Sequence, residues 1–256
     1  MSVIKDFYCD ELYVRIFDTR DAMGSCAGRE AAACVRKLLE GQREVNIIFA
    51  AAPSQNEVLD AFASEPDIDW NRINAFHMDE YVGLTETHPA GFRNFLKAAL
   101  FDHKPFCRVN LLDGNNPGEA DRYSALLRQY PPDVCLLGIG ENGHIAFNDP
   151  GVASFRDDAM VKAVTLDEEC RNQQVHDGCF AHIDEVPKQA LTITIPGLMA
   201  AKYLFCTVPG ITKAEAVERM IFGEISEACP ASILRQHAHA RMYTDSDSGS
   251  RILGRE

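Results

Sequence analysis

The sequence predicts an α/β fold, a single-domain doubly wound and mostly parallel sheet with helices on both faces. Three observations carry this expectation. Short β-branched or apolar runs alternate with helix-like stretches along the chain, the pattern of a parallel sheet covered on both sides. The run Val134-Cys135-Leu136-Leu137 leads straight into glycines, as a buried strand does when it gives way to a loop. At 256 residues, 46% hydrophobic and 25% charged, the chain has ample apolar material for one core and requires no second domain. The architecture is therefore Rossmann-like, with one domain over residues 1–256.

Taken in order, strands are expected at 12–17, 45–51, 73–77, 134–137, 191–195, 203–208 and 240–243, where β-branched and apolar residues cluster between turn formers. Helices fall between them. The clearest spans 22–39, where alanines and leucines recur at helical spacing and Gly41 offers a stop. Others are expected at 54–63, 91–100, 119–128 and 212–222, and the polar tail from Asp245 is expected to fray. The chain shows no internal repeat and no low-complexity segment.

A net charge of −13 argues against a nucleic-acid or anionic-membrane surface, since either needs a basic patch. An anionic small molecule would instead be held by a few local cations. The nine cysteines are odd in number, scattered and without a C-x-x-C pair, which reads as reduced thiols in a cytoplasmic protein with no zinc framework. No apolar run is long enough to span a bilayer, and the amino end lacks a signal-peptide layout.

Three segments carry chemistry. The first is LLGIGENGHIAFNDP at 136–150, where Gly138, Gly140 and Gly143 let the backbone bend beyond a strand end and Asn142, His144, Asn148 and Asp149 surround an apolar Ile145-Ala146-Phe147. A capped turn would account for the glycines and histidine alone, but not for the four polar residues together. The second is Phe76-His77-Met78-Asp79-Glu80-Tyr81-Val82-Gly83-Leu84, whose adjacent carboxylates are expected outside the core, the pair solvated or one of them capping the next helix. The strand-end position favours catalysis for Asp79. The third is Val208-Pro209-Gly210-Ile211-Thr212-Lys213, a bend into a helix with Thr212 near the N-cap, where backbone N–H groups and Lys213 suit a phosphate; a capped helix with an exposed lysine is the simpler reading of this loop alone.

With these residues assembled, the chain resembles the glucosamine-6-phosphate deaminase family, also called glucosamine/galactosamine-6-phosphate isomerases. The resemblance is densest at 78–84 and 138–151, with weaker support from 186–192 and the Lys213 turn. It implies a cofactor-free and metal-free conversion of an amino-sugar phosphate to a ketose phosphate and ammonia. By resemblance His144 is the ring-opening histidine, Asp79 the base that moves a proton between C2 and C1, and Asp149 the acid that orients His144, while Asn142 fills a family position two residues before the histidine. Ser54, Gln55, Glu80, Gly140, Arg171 and Lys213 fall in the implied substrate site, Lys213 and Arg171 on the phosphate. From the residues alone, a surface-helix ion pair with the preceding acids explains Arg171 equally well.

Three departures mark this chain. Ala50-Ala51-Ala52-Pro53-Ser54-Gln55-Asn56 replaces a Gly-Ser-Thr-Pro-like loop, Asp149 stands where glutamate is usual, and of the family's effector residues only Lys162 has a counterpart in 149–162. No allosteric activation is implied, and homo-oligomerisation is left open. A sugar-phosphate lactonase is the enzymatic alternative, sharing the fold and a glycine–histidine loop. A non-catalytic sugar-phosphate sensor is the other, although a sensor would not need both Asp79 and His144.

Overall fold

The computed structural model describes residues 2–254. The elements run β1 (Val3–Cys9), β2 (Leu12–Phe17), α1 (Arg20–Gly41), β3 (Val45–Phe49), α2 (Asn56–Ser64), β4 (Ile73–His77), β5 (Asp79–Tyr81), α3 (Phe92–Leu96), β6 (Arg108–Asn110), α4 (Glu119–Gln129), β7 (Val134–Leu137), β8 (Val161–Thr165), α5 (Glu168–His176), β9 (Gln189–Ile193), α6 (Ile195–Met199), β10 (Tyr203–Val208), α7 (Ala214–Phe222), β11 (Ala240–Thr244) and α8 (Ser250–Leu253).

Eight strands form the main sheet in the order β1-β2-β11-β10-β7-β3-β4-β6. Every pairing is parallel except the β1–β2 hairpin at one edge. Alternate residues of each strand serve opposite cores, as the two-residue period of a strand dictates. In β7, Val134 and Leu136 join α1, α2 and α3 on one face, while Cys135 and Leu137 join the core of α6 and α7 on the other. From β3 the chain winds outward through β4 and β6, and from β7 it winds the other way through β10 and β11, so the strand order reverses between β3 and β7. Open α/β sheets bind ligands at the carboxyl ends of strands at such a switch point.

The doubly wound expectation holds, with one strand reassigned. The run expected at 191–195 is β9, and it does not enter the main sheet; it is the centre of a second, antiparallel sheet in the order β5-β9-β8. An apolar run has the same appearance in either sheet, and β5 and β8 are too short or too polar to announce the partners. The expected start of the helix at 212 also moves. Ile211–Lys213 is a single 3-10 turn and Thr212 makes no side-chain cap; α7 begins at Ala214.

The polar tail is folded through α8. Asp245 accepts hydrogen bonds from the Ser248 N–H (2.8 Å), its hydroxyl (2.9 Å) and the Gly210 N–H (2.9 Å), so its polar residues satisfy one another and bury Ser248 completely. The last two residues of that expected frayed tail lie outside the described residues. All nine cysteines are free thiols, and among the described residues no helix is long and apolar enough to cross a membrane.

Helices α1 and α2 meet backbone to backbone. A Cβ at Gly28 would lie 2.6 Å from the Ala61 Cβ and 2.7 Å from the Phe62 nitrogen. Alanine is better than glycine in a free helix by about 1 kcal/mol, but overpacking costs about 1–3 kcal/mol and backbone atoms cannot step aside. Gly28→Ala is expected to lower Tm in thermal denaturation; an unchanged or higher Tm would show that the helices separate freely.

Candidate active site

The loop 138–149 owes its shape to two glycines and to its own side chains. Gly143 has φ +88°, which favours glycine, and its N–H donates to the Gly140 carbonyl at 3.0 Å. The Gly140 N–H donates to the His144 carbonyl at 2.9 Å, folding the imidazole back over Gly140. A Cβ at Gly140 would sit 2.1 Å from the ring carbon Cε1, so only glycine admits the ring. Gly140 thus serves the site by yielding space. Ala146 holds φ +49°, a left-handed conformation that a non-glycine residue adopts at a cost and that recurs at functional sites.

His144 Nδ1 lies 2.9 Å from Asp149 Oδ1. Asn142 organises the pair: its Oδ1 accepts the His144 N–H at 2.9 Å, and its Nδ2 faces Asp149 Oδ1 at 3.1 Å and Asp167 Oδ2 at 3.2 Å. Asp167 is the N-cap of α5, so the helix is tied to the histidine loop through one asparagine. The aspartate at 149, a methylene shorter than glutamate, reaches the imidazole directly. Burial pushes the Asp149 carboxyl up, but His144, Asn142 and the Cys170 thiol outweigh it and hold its pKa below the usual carboxylate range. His144, Asp149 and Cys170 bring donor atoms within 4.8 Å of one another, a cluster that the cysteine spacing did not reveal.

Asp79 faces the same cleft from the second sheet. The chain leaves β4, Met78 hands its N–H to Phe49 and receives that of Ile193 at 2.8 Å, and Asp79 then pairs with Thr192. The carboxylate is 6% exposed and has no hydrogen bond among the described residues. Burial, then the charges of Glu80 and Asp149, raise its pKa well above the ordinary value.

Glu80 is a different case. Both carboxylates of the pair are buried, contrary to the expectation that they lie outside the core, and Glu80 does not line the cleft. It accepts the N–H groups of Tyr81, Phe92 and Arg93 and the Arg93 side chain, capping the start of α3, with His77 Nε2 at 3.7 Å. Burial works against its charge, but His77 and these donors prevail and lower its pKa. The helix-cap alternative was therefore the better reading for Glu80.

The cleft opens at the β3/β7 switch point, with about 500 Å³ of empty space partly open to solvent. Ala50–Ala52, Ser54, Asp79, Gly138–Gly140, His144 and Gln174 are among its walls. Gln55 also lines it, but its amide is committed to Thr207: Oε1 accepts the Thr207 hydroxyl at 3.1 Å and Nε2 donates to the Thr207 carbonyl at 3.3 Å. The residue braces the loop after β3 against β10. Lys213 is not among the residues that line this space; it is 5% exposed and its ammonium has no partner among the described residues. Burial lowers its pKa against the opposing pull of Asp177 and Glu141. Arg171 is not brought into the cleft. Its guanidinium donates to the carbonyls of Ile183 and Val186, and among the described residues it forms no ion pair with the acids before it.

The sequence reading puts Arg171 on a surface helix but sets no bounds for α5 and does not single out Cys170, Gln173 or Gln174 for the site. The segment Glu-Glu-Cys-Arg-Asn-Gln-Gln-Val-His has no apolar periodicity. Its one signal is Asp167 followed by two glutamates, an N-cap and an acidic first turn.

An uncommitted buried carboxylate and a histidine–aspartate pair at one cleft at the carboxyl ends of parallel strands, with a buried lysine in the turn that follows β10, define an α/β enzyme built for acid–base chemistry on a small polar substrate. Residues 18–243 match the model of the family described as Glucosamine-6-phosphate isomerases/6-phosphogluconolactonase, and the chain belongs to this family. It is 41% identical over 192 residues to a glucosamine-6-phosphate deaminase of Lysinibacillus sphaericus, covering 74% of this chain and 85% of that one. A deaminase of Streptococcus pyogenes is 36% identical over 188 residues, 72% of this chain and 78% of the relative. Among solved structures, a monomeric glucosamine-6-phosphate deaminase superposes with a TM-score of 0.85 at 29% identity, covering 93% of this chain and 99% of that one. A 6-phosphogluconolactonase from Thermotoga maritima, at TM-score 0.75 and 16% identity over 91% of this chain and 99% of that one, shares the fold.

The site predicts a stability effect with a definite sign. The folded state raises the Asp79 pKa above its unfolded value, so the stability associated with the protonated acid is complete below the unfolded pKa and is lost as pH rises toward the folded one. Asp79→Asn, which cannot ionise, is expected to raise Tm at pH 7 and to lose that advantage near pH 3. Equal Tm values for variant and wild type at pH 7 would mean that the buried carboxylate carries no penalty.

Proposed function

We propose that the protein converts glucosamine 6-phosphate, or a close relative, and water to fructose 6-phosphate and ammonia, using no metal or cofactor. The observation that carries this reading is the uncommitted Asp79 carboxylate facing the same cleft as the Asp149-backed His144. With Nδ1 facing Asp149, Nε2 is the histidine nitrogen left to protonate the ring oxygen and open the sugar. Asp79 then takes the proton from C2. Its raised pKa makes it a stronger base than a solvated carboxylate, and it can return the same proton to C1 through an enol-type intermediate. The resulting C2 imine adds water and expels ammonia, leaving the ketose. Lys213 holds the phosphate; a buried ammonium without a protein partner suits a dianion. Every group in this scheme comes from one chain, so the chemistry requires no second copy. A small-molecule substrate and a cytoplasmic location complete the reading, in keeping with the net charge of −13.

The direct test supplies glucosamine 6-phosphate and 6-phosphogluconolactone in parallel and measures ammonia, ketose and acid. Ammonia and ketose are expected at a rate insensitive to chelator; acid from the lactone alone would establish the hydrolytic alternative.

The two catalytic roles separate experimentally. Asp79→Asn is expected to slow exchange of the C2 proton with solvent by about 10²-fold or more, the scale of general base catalysis, with ring opening intact. His144→Gln should impair ring opening and be partly spared when the reaction runs backward from the ketose. Equal losses in both variants with either sugar would contradict this division of labour.

Removing the phosphate contact should act mainly on binding. Lys213→Ala deletes a charge-assisted contact worth roughly 1.5–3 kcal/mol, so KM for the sugar phosphate is expected to rise about 10- to 100-fold with a smaller fall in kcat. An unchanged KM would locate the phosphate elsewhere.

A further inference from the structure

The Asn142 amide stands where three elements of the site meet. Its Oδ1 accepts the His144 N–H at 2.9 Å, and its Nδ2 donates to Asp149 Oδ1 at 3.1 Å and to Asp167 Oδ2 at 3.2 Å. An amide nitrogen has two protons, so each carboxylate receives one. Turned end for end, the amide would set Nδ2 against the His144 N–H and Oδ1 against two carboxylates, so these partners admit one orientation.

Asp167 does more here than a helix cap needs. As the N-cap of α5 it spends one oxygen, Oδ1, on the Cys170 N–H at 2.6 Å. Serine or asparagine would cap the helix about as well. The second oxygen reaches across to Asn142, and among the usual caps only aspartate carries two acceptor oxygens. Gln174, on the same helix, lines the cleft. Helix α5 thus borders the substrate's space with one residue and holds the partner of Asp149 with another.

We propose that Asp167 is a positioning residue of the reaction: acting through Asn142, it holds the Asp149 carboxylate against His144 Nδ1, so that the placement of α5 and the aim of the imidazole are coupled. This rests on the ring-opening role given to His144 above. Asp149 is fully buried, and the contacts from His144 Nδ1 (2.9 Å) and Asn142 Nδ2 both fall on its Oδ1. The direction of the carboxylate therefore follows Asn142, which is itself tethered on its far side by Asp167. A shift of about 1 Å in such a group can cost on the order of 10²-fold in rate.

The test compares Asp167→Asn and Asp167→Ser, alone and in an Asn142→Ala background. Both replacements keep the helix cap, so Tm is expected to stay near that of wild type, while asparagine turns a donor toward Asn142 and serine falls short of it. With glucosamine 6-phosphate each is expected to lower kcat about tenfold or more, the scale of a lost hydrogen bond to a charged group, and to change KM less. Exchange of the C2 proton should be partly spared when the reaction starts from the ketose, as for His144→Gln. In the Asn142→Ala background neither should add to the loss, because residues that act through one another are not additive. The nitrogen NMR resonances of the His144 ring, assigned by their loss in His144→Gln, should shift in both variants. Wild-type kcat in both folded variants would overturn the proposal, as would an undiminished further loss in the Asn142→Ala background. A fall in kcat that tracks a fall in Tm would make Asp167 a helix cap alone and also overturn it. The ring resonances need no turnover: a wild type that releases no ammonia from the amino sugar overturns the reaction, and Asp167 is then judged by the variants' resonances, which if unshifted overturn its assignment too.

Discussion

Strand β9 is the constraint on which the site depends. Its Thr192 pairs with Asp79 in the antiparallel ladder, and the Thr192 hydroxyl accepts the Phe147 N–H at 3.1 Å from the histidine loop. One residue on, the Ile193 carbonyl accepts the Asn148 side chain at 2.9 Å, and the Ile193 N–H donates to Met78. The proposed base and the proposed acid leave different strands of the main sheet, yet both are pinned to two consecutive residues of a short strand outside it. Hydrogen bonds of this kind each contribute only about 1 kcal/mol net, but they are directional, and acid–base catalysis depends on position within fractions of an ångström.

The three carboxylates in and behind the cleft show how environment assigns different roles to one functional group. Glu80 is surrounded by donors and stays ionised as a cap. Asp149 is met by His144, Asn142 and Cys170 and stays ionised as the histidine's partner. Asp79 has no donor, sits beside both other charges and is driven toward the protonated form. Each ionised neighbour that is well satisfied makes Asp79 more basic, because its own charge then persists. The destabilisation that an unpaired buried carboxylate brings to the fold is the same property that makes it a stronger base.

The short β10–α7 junction contributes in a similar way. Gly210 turns the chain with φ +91°, its N–H is held by Asp245, and the following 3-10 turn carries Lys213 inward instead of presenting it on a helix surface. The folded tail thereby supports the lysine: Asp245, Ser248 and the Val208 carbonyl form one buried set of hydrogen bonds beneath the turn.

The amino-acid sequence by itself determined the doubly wound sheet and the loops that carry Asp79, Asn142, His144, Asp149 and Lys213, because apolar runs, glycines beyond strand ends and a dense family motif are all local signals. It did not show that Glu80 caps α3 instead of facing the substrate site beside Asp79: adjacent residues of one strand face opposite ways, and which face met the cleft and which met the start of α3 was decided by the pairing of β5 with β9. Nor did it bound α5, whose nine residues include almost no apolar spacing and which is held by the Asp167 cap and by contacts across the chain. The placement of the Arg171 side chain was likewise decided by tertiary contact alone, since a guanidinium goes to whichever acceptors the fold brings near it, and here those are the carbonyls of Ile183 and Val186.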